Sequence, residues 1–301
     1  MSSDLLTNTS AMTALLSLNQ TQDSLNTYEN QISTGLAISS AKDNAAYWSI
    51  ATSMNSQIDS LGAVSSSLSE SSSLLTTMTA AMNQTISVLD AIQTDLATAT
   101  DLISKNADPD QIADTQDDIT DRIQSLISLG QTTNVNGTNF LVASAGSSVN
   151  LLSSYTSTGG ASFISVDTGS TALFNVASTA ATTGILGSTG TASGLSVLNF
   201  NVVGASAAGV ANMLTDIGTA LTNMTAAAST VGADQNNVTE QQTFISNLTD
   251  SLTTSVGSLV DADMNEASTK ISALQVQQQL GVQALSIANS NTQLILKLFG
   301  Q

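Results

Sequence analysis

In this chain of 301 residues, 41% are apolar but only 3% are aromatic, so any core must be built from Leu, Ile, Val, Ala and Met, the palette of helix seams. It contains no Cys and no His, which removes thiol and imidazole nucleophiles, the usual zinc sites and His-based triads together. A formal charge of −18, from 23 acids against five bases, disfavours both nucleic acid and anionic lipid as partners.

The start, MSSDLLTNTSAM, has neither the basic nor the apolar region of a cleavable signal peptide, so none is expected. No apolar run approaches the ~20 residues that span a bilayer. The first helical seam passes through Ala11, Leu15, Leu18, Gln22, Leu25, Glu29, Ile32 and Leu36, and Gly35 permits the turn that ends it. Ser40 to Asp43 then has the form of a capping box opening a much longer helix. Trp48, near its start, is expected to pack in the core.

From Tyr47 one register of alternating three- and four-residue steps passes through Ile50, Met54, Gln57, Leu61, Val64, Leu68, Ser71, Leu75, Met78, Met82, Thr85, Leu89, Ile92, Leu96, Ala99 and Ile103. Only Gln57, Ser71 and Thr85 interrupt it, and a helix of that length spans about 85 Å. Lys105 to Pro109 ends it, and Pro109, the only proline, fits the first turn of a further helix reaching about Leu129. Asp110, Asp114, Asp117, Asp118 and Asp121 share one face of that helix, read as a solvated outer face or, less simply, as a weak divalent-cation stripe. Arg122 stands one turn beyond Asp118 and is expected to pair with it.

Between about 130 and 205 the texture changes to Gly, Ser, Thr and Ala. Phe140–Val142, Phe163–Val166 and Leu195–Val203 read as short strands, with turns at Asn136-Gly137 and Gly159-Gly160. A second long register follows through Val210, Leu214, Ile217, Leu221, Met224, Ala228, Val231, Gln235, Val238, Gln242, Ile245, Thr249, Leu252, Val256 and Leu259. Its length matches the first, which predicts an antiparallel pair. The last segment carries two apolar rows. One runs through Ala273, Gln277, Leu280, Ala284, Ile287, Asn291, Leu294 and Leu298, the other through Ile271, Leu274, Leu285, Ala288, Ile295 and Phe299. One row can meet the N-terminal helix. The other then needs a partner from outside, because a helix apolar on several faces is a buried helix.

The fold class these patterns predict is mainly α, a long antiparallel coiled-coil rod formed by the N- and C-terminal segments with a small β-rich central insert. Residues 1–42 and 260–301 are expected to form a terminal coiled-coil domain, residues 43–143 and 205–259 a helical rod domain, and residues 144–204 a surface-exposed insert. Nothing in the pattern calls for a cofactor, a metal or a catalytic role.

At residues 33–51 the chain reads STGLAISSAKDNAAYWSIA, and at 259–299 it reads LVDADMNEASTKISALQVQQQLGVQALSIANSNTQLILKLF. These blocks resemble the N- and C-terminal blocks of bacterial flagellins, the first usually close to SSGLRINSAKDDAAGQAIA, the second nearest the α-proteobacterial type. The resemblance implies a filament subunit for swimming, exported through the flagellar type III apparatus to the cell exterior, with the terminal helices lining the filament channel. It implies a homopolymer, together with an export chaperone, a filament cap and hook–filament junction proteins as partners.

On that reading Leu15, Leu18, Leu25, Ile32, Leu36, Leu280, Leu285, Ile287, Leu294, Ile295, Leu298 and Phe299 serve subunit assembly, and Ser40 and Asp43 mark a domain junction. A hook–filament junction protein and a secreted adhesin using the insert are the alternatives. The chain departs from the family pattern at Ala37, where Arg is usual, and in having no Lys or Arg between Lys42 and Lys105.

Overall fold

The computed structural model describes residues 8–134, 139–143, 147–155, 160–176 and 179–299, without the side chains of Tyr155 and of residues 291–299. The expected turn at Asn136-Gly137 and the Gly159 half of the second turn lie outside the described residues. The helices are α1 (Thr9–Thr34), α2 (Ala45–Ser104), α3 (Pro109–Thr132), the single turn α4 (Thr168–Thr171), α5 (Ala207–Val260) and α6 (Met264–Phe299). The strands β1 (Val149–Tyr155) and β2 (Ala161–Val166) form one antiparallel hairpin. The chain divides into two compact units, one of residues 1–58 and 250–301, the other of Asp59–Thr249.

In the second unit the long register is borne out residue by residue. Every position on it from Leu61 to Ala99 is buried. On α5, Val210, Ile217, Met224, Val231, Val238 and Ile245 are buried, with the intervening register positions half-buried. The pairing is antiparallel: Gln242 Nε2 donates to Ser69 Oγ at 3.5 Å and Gln235 Nε2 to Thr76 Oγ1 at 2.9 Å, seven residues forward on α2 for seven back on α5. Each buried Leu or Ile is worth about 1.5–3 kcal/mol against exposure. The interruptions cost little. Ser71 Oγ donates to the Ser67 carbonyl and Thr85 Oγ1 to the Ala81 carbonyl, both at 2.9 Å, so each buried hydroxyl is satisfied within its own helix.

Asn106, at φ 50°, turns the chain after α2, and Asp108 accepts from the Asp110 amide at the start of α3, with Pro109 in its first turn. Ile119, Ile123, Leu126 and Ile127 face inward, while Asp110, Asp114, Asp117, Asp118 and Asp121 are all exposed, as a solvated face requires. Arg122 does not pair with Asp118. Its Nε donates to Asp95 on α2. Asp95 is the better-shielded carboxylate, so the same ion pair is less screened there than on an open helix face.

The central segment is less regular than expected. Phe163–Val166 lies in β2 as predicted, but its partner β1 was not signalled. Leu195–Val203 is not a strand; Val197–Asn199 is a 3-10 turn. The reason is Gln116 on α3, whose Nε2 donates to the Phe200 carbonyl at 3.3 Å and whose Oε1 accepts from the Val202 amide at 2.7 Å. One side chain thus takes the backbone bonds that a neighbouring strand would have used. Phe140–Val142 likewise contributes a single bridge, Val142 to Phe174.

The segment docks through Phe174, which is fully buried; a Cβ on Gly130 of α3 would come within 2.1 Å of its ring. It is also clamped by Asp216 of α5. That carboxylate, nearly inaccessible to solvent, accepts from the Ala192 and Ser193 amides at 3.0 and 2.7 Å and from Ser193 Oγ at 2.6 Å. Burial pushes its pKa up, but the Ser193 hydroxyl and the backbone donors outweigh it and hold the pKa below the ordinary value. A depressed carboxylate pKa means that its stabilisation is complete above the unfolded-state value and is lost as pH falls through the native one. Asp234 on α5, raised by burial, acts in the opposite sense. We expect Asp216→Asn to loosen the segment at neutral pH, by about 1–3 kcal/mol for the broken buried donors. It should also remove the share of the loosening on acidification that Asp216 carries, leaving that of Asp167, whose own donors hold its pKa low as well. Limited proteolysis across pH 3–7 (roughly, around the carboxylate range) checks this; identical cleavage profiles for the two proteins would refute it.

Candidate assembly surfaces

The first unit is built around the place where the two ends of the chain meet. α1 starts with Asn8, whose Oδ1 accepts from the Ala11 amide at 3.0 Å, and stops at Gly35 in the left-handed region, φ 76°. The segments after α1 and after α5 then run against each other. Ala37 N donates to the Val260 carbonyl at 2.7 Å and Ala262 N to the Gly35 carbonyl at 2.9 Å. Leu36, Ile38, Met54, Ile58 and Leu259 pack around buried Ala51, Val256 and Val260 beside this crossing. Asp263 opens α6 by accepting from the Asn265 and Glu266 amides.

Ser40 and Asp43 lie in the segment between α1 and α2, and they do not cap α2. Asp43 Oδ2 reaches back to the Ser39 and Ser40 amides and the Ser40 hydroxyl, the last two at 3.0 Å, and closes the turn before the helix. Those bonds, from the Ser40 hydroxyl foremost, lower the Asp43 pKa. The cap itself is Asn44, whose Oδ1 accepts from the Ala46 and Tyr47 amides. Asn is as good an N-cap as Ser, and the carboxylate is already occupied one residue earlier.

α1 and α6 pair antiparallel. Asn8 Nδ2 donates to the Ala288 carbonyl at 3.1 Å and Gln22 is bound by Gln278 Nε2 at 2.6 Å. Between them, Gly281 lets Leu18 approach, since a Cβ there would stand 3.1 Å from its methyl. The face of α1 turned to α6 carries Ala11, Ala14, Leu18, Gln22, Leu25, Tyr28 and Ile32. Leu15 and Glu29, expected on that seam, are exposed, and Ala14 and Tyr28 take their places. Leu36 is half-buried at the crossing.

On α6 the two rows separate. Ile271, Leu274, Leu285 and Ala288 turn toward α1 and are shielded. Leu280 is 58% exposed and Ile287 62% exposed, with Ala273, Gln277 and Ala284 on the same bare face and Val276 beside them. The side chains of Leu294, Ile295, Leu298 and Phe299 lie outside the described residues; the helical backbone runs through Phe299. Among the described residues of α1 and α6 only Leu25 and Ala267 are fully buried. Two helices alone cannot cover a seam of this width, which leaves the pair short of a third surface.

Trp48 is not in the core. It is 39% exposed, and Tyr47 and Ile50, the first positions of the long register, are exposed beside it. The sequence signal for this was the stop of the facing register at Leu259. Ala51 packs against Val260, the last residue of α5, so among the described residues the turn of α2 before it has no facing helix.

Among the described residues no group of three or more His, Cys, Asp or Glu side chains is arranged to hold a metal ion, and no helix is long and apolar enough to cross a membrane. A helical protein that pairs its two ends and still bares an apolar row along the last helix belongs to the class whose core is completed by other molecules.

Comparison with known proteins makes that class specific. Residues 5–145 match the bacterial flagellin N-terminal helical region and residues 214–299 the bacterial flagellin C-terminal helical region. The chain is 39% identical to a flagellin of Brucella melitensis over 98% of both chains. It is 33% identical to flagellin FljO of Caulobacter vibrioides over 97% of both, and 30% identical to flagellin A of Rhizobium meliloti over 98% and 99%. The chain belongs to the flagellin family and is a structural subunit of the extracellular bacterial flagellar filament. These near full-length matches give no support to the junction-protein or adhesin readings.

Proposed function

We propose that the subunit polymerises through the bare row of α6, with Leu280 and Ile287 at its centre and Leu294 and Leu298 extending it. The single observation that carries this is the separation of the two rows: one is used by α1, the other is apolar and open. Leu15, on α1, is left exposed in the same unit. Residues 1–42 and 260–301 then form the terminal domain at the filament channel, 43–143 and 205–259 the surrounding helical domain, and 144–204 the insert facing solvent. Matches to the family's two helical regions on either side of the insert support that division.

A bare apolar row must be shielded before assembly, which supports a dedicated export chaperone for α6, followed by type III export. A filament cap and hook–filament junction proteins complete the partners. No catalytic step and no cofactor enter this function.

With 23 acids and five bases per copy, like-charge repulsion opposes assembly while the apolar row drives it. Added salt screens the former and leaves the latter. Purified full-length protein seeded with short filament fragments is therefore expected to form long filaments, with less monomer left in the supernatant as ionic strength rises from low to moderate. Failure to elongate the seeds would remove the homopolymer reading; sedimentation indifferent to salt would remove only the electrostatic part.

A further inference from the structure

The exposed start of α2, its first turn and a half, is a second place where the subunit's core is left open. Its three large side chains are not scattered. Tyr47 continues the direction of Ala51 and Met54 toward the junction cluster, and Trp48 and Ile50 flank it on either side of the helix. They are exposed because α5 ends at Val260, beside Ala51, so the seam outruns its partner helix. What the overhang lacks is one more apolar helix surface.

Three observations say what supplies it. The protein is a filament subunit, so each copy is held permanently among others, and a contact that recurs in every copy needs no other partner. Ten residues of the chain are aromatic, one of them Trp; leaving Tyr47 and Trp48 together in water wastes the side chains that most often anchor interfaces. From Asn44 to Ile58 there is no charged residue, so in a chain of net charge −18 this stretch can meet another copy without setting acids against acids.

We infer that Tyr47, Trp48 and Ile50 form a contact between copies, covered in the filament by an apolar helix face of a second subunit. The inference rests on the filament reading but not on which face of α6 is used. It makes the junction between α1 and α2 a part of the lattice: the neighbour completes the same cluster that holds the two ends of the chain together.

Because Trp48 is the only tryptophan, the unmodified full-length protein reports on its own contact. Its fluorescence is measured in dilute monomer and in filaments grown from seeds of the same protein, with assembly followed separately by sedimentation and electron microscopy. The expected result is solvent-exposed emission in the monomer, then a blue shift and a several-fold loss of acrylamide quenching in the filament. Ile50→Ser keeps the reporter and removes one flank of the patch. It should raise the monomer concentration left at equilibrium several-fold with unchanged far-ultraviolet circular dichroism.

Filaments in which Trp48 stays as quenchable as in the monomer would overturn the inference and leave the filament reading standing. Emission already shielded in dilute monomer would overturn it too, by showing that the chain's own segments cover the patch. Absence of filaments would overturn the reading beneath it.

Discussion

Replacing Leu280 and Ile287 together by aspartate is expected to leave the subunit folded and to abolish its polymerisation. Both side chains are more than half exposed, and surface changes of this kind usually alter stability by about 0.5 kcal/mol or less. In a filament that covers the row, each lost side chain forfeits about 1.5–3 kcal/mol of apolar burial, and a carboxylate brought into the contact adds its own desolvation cost. At about 1.4 kcal/mol per tenfold, the monomer concentration needed for growth should rise about a hundredfold or more. Unchanged circular dichroism with no pelletable filament is the expected pair of results. Filaments at the wild-type concentration would remove the bare row from the assembly surface.

The inward row supplies the contrast. Leu274→Asp with Leu285→Asp strikes the face that α6 turns to α1, so it should lose helicity in the monomer itself. Comparing the two double variants separates an assembly residue from a folding residue on one helix.

Gly130→Ala is expected to destabilise the subunit although alanine is the better helix former. Propensity alone favours the change by about 1 kcal/mol. Against this, the new methyl would stand 2.1 Å from Phe174 Cζ and 2.4 Å from Cε2. The ring is fully buried, and its backbone is tied by Leu173 N to the Leu141 carbonyl at 2.9 Å and by Ala143 N to the Phe174 carbonyl at 3.2 Å. Being fully buried, it cannot turn aside without displacing the side chains packed around it. Overpacking costs about 1–3 kcal/mol and expelling a buried Phe about 3–5 kcal/mol, so packing outweighs propensity.

Thermal unfolding should show a lower midpoint for Gly130→Ala and a still lower one for Phe174→Ala. The double variant should fall short of the sum, because the two changes share one contact. A raised midpoint for Gly130→Ala would mean that the insert does not dock on α3 through this ring.

How much of this was legible in the sequence differed by element. The registers on α2 and α5 could be counted, because a seam repeating every 3.5 residues is a local property of one helix. The buried run from Leu61 to Ala99 follows it without a slip. The central segment resisted for a physical reason. Leu195–Val203 has the apolar texture of a strand, but two of its backbone groups bond Gln116, 84 and 86 residues away in sequence, and others close local turns. Arg122 shows the same limit: Asp118 was near along the helix, and Asp95 was better shielded across the fold.

From its sequence alone the chain declared itself mainly helical, non-globular at its ends and flagellin-like at both of them. Periodicity and the two terminal blocks carry that information without reference to any distant contact. Tertiary structure decided between the two rows of α6, and the wholly apolar one, without the Gln277 and Asn291 of the other, is the one turned to α1. Packing chose Leu274 and Leu285 for α1, with Gly281 opening room for Leu18, and left Leu280 and Ile287 bare. It also placed the start of the long register beyond the end of its partner helix, so that Tyr47, Trp48 and Ile50 stand uncovered. A repeat specifies which side chains want a neighbour; only the length and end-point of the facing helix determine which of them find one inside the same chain.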